Sequence, residues 1–289
     1  MGSTKRIIRR SAQRPTVLLT ALTGLTGLLG LLATLLAPAA GAEPDRAGPR
    51  GPNVFQGWAF DTCKTPSQST LQAWKGSKYR GVGIYFGGRG RACPNQPNLT
   101  RDWVRAAHDA GWRLLPLYVG SQAPCVVNKH KRKVTIGSRP AETGTGEAQD
   151  AVRRAKALGI APDSALYLDM EAYSLRDAAC TRTTLAYIRA WNRETARQGY
   201  VPGFYSSADS GVRHMERARQ AGTRDLPTVM WFARWHTRPN LYGEPELSGK
   251  AWRPHRRIHQ YAGNVAETHG GRRMVIDRNQ VDAPVAVIN

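Results

Sequence analysis

Residues 165–171 read ALYLDME, a short apolar run that ends in two acidic residues. The apolar flank at residues 165–168 indicates a buried strand rather than a loop. Asp169 and Glu171 stand two positions apart, so their side chains project from an extended strand to the same face, roughly 7 Å apart at Cα. The alternative is a pair of solvated acids that cap the next helix or pair with surface arginines. We predict a buried strand with two carboxylates at its end.

Segments of the same kind recur along the chain. Each is rich in β-branched and aromatic residues, as expected for strands. The seven other predicted strands are GWAF before Asp61, GVGIYF before Gly87, RLLPLYV before Gly120, PGFYSS around Tyr205, VMWFARW around Trp231, IHQYAG around Gln260 and MVIDRN around Asp277. Helical spacing is present at residues 100–109, with Thr100 as the N-cap, at 145–158 and at 181–198, and a glycine follows each soon after.

Strands that alternate with helices predict a parallel sheet. The folded part, residues 54–289, has a length within the ~200 to 250 residues typical of a single α/β barrel. The interval between the Gln260 and Asp277 strands contains three glycines and no helical pattern, so we expect these two strands to pair antiparallel. The sequence therefore predicts an α/β fold, a TIM-like (β/α) barrel of five β/α units followed by a strand-rich closure.

Polar and aromatic residues lie at the end of nearly every predicted strand, where α/β barrels build their active sites. The candidate catalytic residues are Asp61, Asp169, Glu171 and Asp277, and the candidate substrate-binding residues are Tyr205, Trp231, Trp235, Gln260 and Tyr261. Flat aromatic faces can pack on sugar rings, although aromatic residues in strands are more often core. Asp61 has the alternative of capping the helix that begins near Ser67, and Asp277 that of shaping a turn.

The pair formed by Asp169 and Glu171 indicates glycoside hydrolysis. Neighbouring carboxylates resist ionising together. We expect Glu171, which is nearer the mouth, to hold a proton near neutral pH and to act as the general acid. Asp169 would stay charged and stabilise the positive charge that develops on a sugar.

The amino-terminal region has the order of a secretory signal: a cationic start, an uncharged Leu/Thr/Gly run and the exit AGA at residues 40–42. The run at residues 16–36 is also long enough for a retained membrane anchor, which is the alternative. The Arg9-Arg10 pair leaves twin-arginine export open beside the general secretory route.

Three segments follow from this pattern. They are a signal peptide at 1–42, a flexible linker at 43–53 and one domain at 54–289. We expect a secreted or cell-wall-associated protein with no stable membrane span after signal cleavage.

The chain carries 42 basic and 21 acidic residues, a formal net charge of +21. Such a charge attracts polyanions, and export favours an anionic wall polymer over nucleic acid, for which no RNA-binding motif is present. The alternative is a charge that only keeps the surface soluble. The run Lys129-His130-Lys131-Arg132-Lys133 either recruits such a polymer or is a solvated charge run.

Four cysteines, Cys63, Cys93, Cys125 and Cys180, fall in the part expected to be exported. An even number in an oxidising compartment indicates two disulfides. No Cys-x-x-Cys or closely spaced Cys/His pair favours zinc, and we expect neither a metal nor an organic cofactor. Four cysteines permit three pairings, among which sequence alone does not decide. Our working expectation joins Cys63 to Cys93 and Cys125 to Cys180.

The assembled motifs resemble the actinobacterial secreted glycoside hydrolase-like domain, a distant relative of the glycoside hydrolase family 25 muramidases. The resemblance covers essentially all of residues 54–289. It is carried by GWAFDTC with Asp61, NLTRDWV near Thr100, GWRLLPLYVGSQAPC up to Cys125, YLDMEAY with Asp169 and Glu171, FYSS with Tyr205, WFARW with Trp231, HQY with Gln260 and VIDRN with Asp277.

The family 25 pattern implies a barrel with three terminal strands of irregular direction and cleavage of the bond after N-acetylmuramic acid. By matching position, the resemblance makes Glu171 the proton donor and Asp61, Asp169 and Asp277 the accompanying carboxylates. It also implies retention of configuration, with the substrate's own acetamido group as nucleophile and Asp169 steadying it.

Two positions depart from the muramidase pattern. Thr62-Cys63 follows Asp61 where a serine is usual two places after the aspartate, and Trp235 stands where a tyrosine is usual. The leading hypothesis is a monomeric hydrolase of β-1,4 bonds in peptidoglycan or a related wall glycan. The alternative is a catalytically silent glycan-binding protein that uses the same cleft.

Overall fold

The computed structural model describes residues 53–289. The predicted signal peptide and all but the last residue of the predicted linker lie outside the described residues. Within residues 53–289, no helix combines the length and the apolar character needed to cross a membrane.

Eight strands close into one barrel in chain order. They are β1 (Val54–Asp61), β2 (Tyr79–Gly87), β3 (Arg113–Tyr118), β4 (Ala165–Asp169), β5 (Val201–Ser207), β6 (Val229–Ala233), β7 (Arg257–His269) and β8 (Arg272–Pro284). Strands β1 to β7 are parallel to one another, and β8 is antiparallel to both of its neighbours, β7 and β1.

The predicted TIM-like α/β barrel is confirmed, as is the antiparallel pairing of the last two strands. Among the three terminal strands, for which an irregular direction was expected, β8 alone is reversed. Strand β7 joins β6 in the parallel direction although residues 234–256 between them contain no helix.

A helix follows each of the first five strands. The helices are α1 (Gln68–Trp74), α2 (Arg101–Asp109), α3 (Pro140–Ala157), α4 (Ala178–Arg197) and α5 (Arg213–Gln220). A 3-10 helix at Lys129–Val134 precedes α3, and a π-helical turn at Ala208–Val212 precedes α5. Thr100 caps α2 as predicted, by accepting a hydrogen bond from the backbone N–H of Trp103. Helix α3 begins earlier than predicted, since Pro140 is well suited to the first helical position.

Strands β7 and β8 form a long hairpin whose turn is Gly270-Gly271. These glycines have φ values of +52° and +73°. Left-handed backbone at both central positions is what a two-residue type I′ turn requires, and glycine adopts it without steric cost. The same glycines that interrupt the helical pattern in the sequence therefore reverse the chain.

Side chains alternate along each strand between the barrel interior and the surrounding helices. On β4, Tyr167 packs in the interior with Leu117 and Trp231. Leu166 and Leu168 belong instead to the core between strands and helices. Asp169 continues the inward-facing set and reaches the mouth of the barrel because it is the last residue of the strand.

Two disulfides restrain loops at the carboxyl ends of the strands. Cys63–Cys93 joins the loop after β1 to the loop after β2, and Cys125–Cys180 joins the loop after β3 to the first turn of α4. Both expected pairings are confirmed.

Candidate active site

A cleft of about 760 Å³ opens at the end of the barrel where the parallel strands finish. We call it the acidic cleft, because its lining includes Asp61, Asp169, Glu171 and Asp277. These carboxyl groups come from three distant segments: the end of β1, the end of β4 with the residues that follow it, and β8. The structure thus brings all four candidate catalytic residues to one cleft.

Asp61 is buried at the end of β1. Its carboxylate accepts three hydrogen bonds. The donors are Tyr85 Oη at 2.7 Å, Gln260 Nε2 at 3.0 Å and Asn279 Nδ2 at 2.8 Å. Burial raises the pKa of Asp61, and the three hydrogen bonds oppose the rise. Helix α1 is capped by Ser67, so the alternative in which Asp61 serves as that cap is wrong.

Asp277 lies directly opposite Asp61 in the antiparallel pair of β1 and β8. Its Oδ1 accepts a hydrogen bond from the backbone N–H of Asn264 at 2.6 Å. Burial, and then the charge of Asp61, raises the pKa of Asp277 to about 7. Asp277 therefore belongs to a strand rather than a turn, and it adds a second carboxyl group beside Asp61.

Asp169 and Glu171 both line the acidic cleft but differ in burial. Asp169 is 6% exposed, whereas the side chain of Glu171 is 34% exposed. Burial, followed by the neighbouring charge of Glu171, raises the pKa of Asp169 to about 8. Oδ1 of Asp169 has no hydrogen-bond partner among residues 53–289. Burial therefore opposes the expectation that Asp169 is charged in the resting site.

Gln122 holds the segment that carries this pair. Its Nε2 donates to the backbone carbonyl of Asp169 at 3.0 Å, and its Oε1 accepts from the backbone N–H of Glu171 at 2.8 Å. The side chain is fully buried. Sequence reasoning missed Gln122, since no periodic pattern in the loop after β3 marks a glutamine that bonds to a distant backbone.

Lys131 belongs to the basic run at 129–133, which sequence reasoning named without distinguishing this residue from its neighbours. Its Nζ lies 3.4 Å from Oε1 of Glu171 and donates to the carbonyl of Gly90 at 2.7 Å. Lys131 is buried, whereas the other four residues of the basic run at 129–133 are exposed. In a 3-10 helix successive side chains point about 120° apart, so one residue of a charged run can face inward while its neighbours stay in solvent.

Glu171 also lines a second cleft of about 350 Å³. We call it the aromatic cleft, because Tyr205 and Trp235 line it together with Glu171. Trp235 is 38% exposed. Glu171 therefore borders both clefts, with carboxyl groups on one side and aromatic rings on the other.

Gln260 connects the two clefts. Its Oε1 accepts hydrogen bonds from Tyr205 Oη and Trp235 Nε1, both at 2.9 Å, and its Nε2 reaches Asp61. Gly263 leaves the space that the indole occupies, since a Cβ there would lie 2.2 Å from Cζ2 of Trp235. Gln260 is buried and holds Tyr205, Trp235 and Asp61 in place through these hydrogen bonds.

Trp231 and Tyr261 do not line either cleft. Trp231 is fully buried in the barrel interior, where its Nε1 donates to Asn279 Oδ1 at 2.8 Å. Tyr261 follows the inward-facing Gln260 on β7, so strand alternation turns it outward against Trp58. The structure therefore places these two predicted substrate-binding residues outside both clefts.

A sequence profile of the Rv2525c-like, glycoside hydrolase-like domain matches residues 72–281. A comparison with curated protein sequences finds no match.

Three solved structures have similar folds. The Tat-secreted protein Rv2525c of Mycobacterium tuberculosis, crystallised with L-tartrate, gives a TM-score of 0.53 at 16% identity over 78% of this chain and 96% of that chain. A family 25 glycosyl hydrolase from Bacillus anthracis gives 0.50 at 12% identity over 81% and 94%. The spore cortex lytic enzyme SleM of Clostridium perfringens gives 0.51 at 11% identity over 78% and 67%.

Because the sequence identities are this low, the three structural similarities show a shared fold and not a shared activity. The profile match extends from α1 into β8 and so takes in most of the barrel. It agrees with the resemblance found in the motifs. The chain belongs to the Rv2525c-like, glycoside hydrolase-like domain family.

Proposed function

We propose that this protein is a secreted glycoside hydrolase that cleaves β-1,4 bonds in peptidoglycan or a related cell-wall glycan. The observation that carries the proposal is the location of Glu171 between the acidic cleft and the aromatic cleft. A glycan chain that runs through both clefts has a glycosidic bond beside this carboxyl group. Membership of a glycoside hydrolase-like family supports the same reaction class.

Glu171 is the general acid in this proposal. It gives its proton to the glycosidic oxygen while the acetamido oxygen of the sugar attacks C1, and the leaving sugar departs with a new hydroxyl group. Water then adds to C1, its proton returns to Glu171, and the configuration at C1 is retained. The partial exposure of Glu171 gives a bound sugar access to its carboxyl group.

The other three carboxyl groups stabilise positive charge on the reacting sugar. Asp61 is held by three hydrogen-bond donors that favour its ionised form, which counteracts its burial. Burial raises the pKa of Asp169, whereas a positive charge that develops beside it lowers that pKa again, which suits Asp169 to steady the acetamido group.

The surroundings of the site fit a wall polymer as the partner. Trp235 and Tyr205 supply aromatic surface for a sugar ring, and the excess of basic over acidic residues speeds encounter with an anionic wall. Two disulfides are typical of exported proteins and support secretion. We expect the protein to act as a monomer.

The decisive experiment compares wild type with Glu171→Gln on purified wall glycan and follows new reducing ends. The substitution removes the acid with almost no change in shape, so we expect a loss of about 10²-fold or more in rate with an unchanged melting temperature. Glu142→Gln, on the exposed surface of α3, serves as the matched control and should keep full activity.

If wild type releases no reducing ends while wild type and Glu171→Gln both bind the glycan, the protein is a glycan-binding protein that uses the same clefts. If Glu171→Gln unfolds, Glu171 is a structural residue.

A further inference from the structure

Lys131 differs from the rest of its basic run. Its side chain is 11% exposed and lines the acidic cleft, whereas its neighbours in the run face solvent. Removing an ammonium group from water carries a large desolvation cost unless the protein replaces its hydration. The same cleft contains an oxygen of Asp169 that has no partner among residues 53–289. Both features are typical of a site that is completed by a ligand.

The protein replaces the hydration of Lys131 only in part. Nζ donates one hydrogen bond, to the carbonyl of Gly90 at 2.7 Å. Oε1 of Glu171 is 3.4 Å away, beyond the ~2.7 to 2.9 Å of a charge-assisted hydrogen bond. An ammonium group has three N–H donors, so donor capacity remains for a group that enters the cleft.

Other cations gather around the same cleft. Lys64 and Arg91 line it together with Lys131. Arg91 directly follows Gly90, whose carbonyl accepts the hydrogen bond of Lys131, and Lys64 follows the disulfide-bonded Cys63. A ligand in the acidic cleft thus meets positive charge beside the carboxyl groups, which suits a sugar ring with a negatively charged substituent.

We propose that Lys131 binds an anionic substituent of the glycan next to the bond that is cleaved, and that this contact frees Glu171 from its ion pair. The inference rests on the proposed hydrolase function and names the substrate feature that the same site selects. In the resting site, Nζ of Lys131 lies 3.4 Å from Oε1 of Glu171, so the carboxyl group of Glu171 is engaged by the ammonium group. Once the substrate anion takes the place of Glu171 beside Lys131, the carboxyl group of Glu171 is free to donate its proton to the glycosidic oxygen as the bond to C1 breaks.

The charged and titratable groups around Glu171 come from several elements. They are Asp169 on β4, Lys131 on the 3-10 helix, Tyr205 on β5, Asp209 in the π-helical turn and Arg234 after β6. The remaining charged groups of the acidic cleft are Asp61, Asp277, Lys64 and Arg91. Arg234 is engaged by Asp209 at 2.9 Å and by Glu244 at 2.7 Å, so Lys131 is the cation that acts on Glu171 at close range.

The anion is an oxyanion, either a carboxylate of the sugar itself or a phosphodiester of an attached wall polymer. Three substrates distinguish these sources. They are wall glycan with its polymer, the same glycan after hydrofluoric acid has removed the phosphodiesters, and glycan whose sugar carboxyl groups have then been reduced to alcohols.

Steady-state kinetics on the three substrates test the inference. If the recognised anion is a phosphodiester, wild-type kcat should fall about tenfold on the glycan treated with hydrofluoric acid. If it is a sugar carboxylate, the same fall should occur only on the carboxyl-reduced glycan. Lys131→Met should lose this difference, and its kcat on the carboxyl-reduced glycan should exceed that of wild type, because Glu171 no longer has an ion-pair partner. Lys133→Met removes an exposed cation from the same helix and should behave as wild type. A Lys131→Met variant that keeps the wild-type discrimination in kcat, or that changes KM alone, overturns the inference.

Binding measurements separate this result from a failure of the hydrolase proposal. Calorimetry with Glu171→Gln uses soluble fragments of the three glycans, and Glu171→Gln/Lys131→Met is the comparison. About tenfold tighter binding of a fragment that carries the anion, lost in the double variant, supports the role of Lys131 even if no glycan is cleaved. Equal affinity of Glu171→Gln for all three fragments overturns it.

Discussion

At the scale of single residues, burial sets the charge of the candidate site. It raises the pKa of Asp169 to about 8 and that of Asp277 to about 7, while an aspartate in an unfolded chain has a pKa near 3.8. Between these values the folded protein keeps protons that the unfolded chain has already lost. The free energy of unfolding therefore falls as pH rises from about 4 to about 8. A loss of stability from buried carboxyl groups with raised pKa values is common at active sites.

Asp169→Asn should remove the larger part of this pH dependence. The amide is neutral in both states, so we expect its melting temperature to fall less between pH 5 and pH 8 than that of wild type. At pH 8 the variant should be the more stable of the two. Thermal unfolding at both pH values checks this, with the exposed Glu142→Gln as a control that keeps the wild-type dependence. An Asp169→Asn variant with the wild-type pH dependence would show that Asp169 is ionised in the folded protein.

Trp231 and Trp235 are four residues apart and provide a matched pair. Trp235→Ala should weaken glycan binding by about 1 kcal/mol, roughly fivefold, and leave stability almost unchanged, because Trp235 is partly exposed beside the aromatic cleft. Trp231→Ala should instead lower the free energy of unfolding by about 3 to 5 kcal/mol, because it empties a fully buried position of the barrel interior. Calorimetric titration and urea unfolding measure the two effects, and the reverse pattern would contradict the geometry.

At the scale of elements, the loop after β3 supports Glu171 from two directions. It carries Gln122, which bonds to the backbone around Glu171, and Lys131, which pairs with its carboxylate. The loop is closed on itself by hydrogen bonds from Gln122 N to Val134 O at 2.9 Å and from Ile136 N to Gln122 O at 2.8 Å. The Cys125–Cys180 disulfide then fastens the loop to α4.

Removal of this disulfide should therefore loosen the support of Glu171. The chain-entropy relation assigns about 4 kcal/mol of stability to a bridge between residues 55 apart. We expect Cys125→Ser/Cys180→Ser to lose about that amount in calorimetry and to lose hydrogen-exchange protection at the amides of Gln122 and Ile136. Amides of α2, which the bridge does not touch, provide the internal control. Unchanged protection at residues 121–136 would show that the loop holds its shape without the bridge.

At the scale of the whole molecule, the sequence predicts features that rest on repeated strand and helix patterns. It does not predict the orientation of a single side chain that depends on one local turn or on one strand register. Strand periodicity and helix caps recur along the chain, so the barrel and the convergence of Asp61, Asp169 and Glu171 follow from parallel strands that end at one mouth. The inward turn of Lys131 depends on a single 3-10 helix inside a charged run. The outward direction of Tyr261 depends on the exact register of β7, which a stretch of mixed polar and aromatic residues leaves open.

Strand β8 both closes the barrel and contributes a carboxyl group to the acidic cleft. This strand pairs residues near the end of the chain with β1 at the start of the described domain, and the same pairing delivers Asp277 to Asp61. Pairing of β8 with β1 thus closes the ring and also brings the fourth carboxyl group to the acidic cleft. Without that pairing, β1 and β8 would be two open sheet edges. An acidic cleft with all four carboxyl groups therefore requires that β8 is paired with β1.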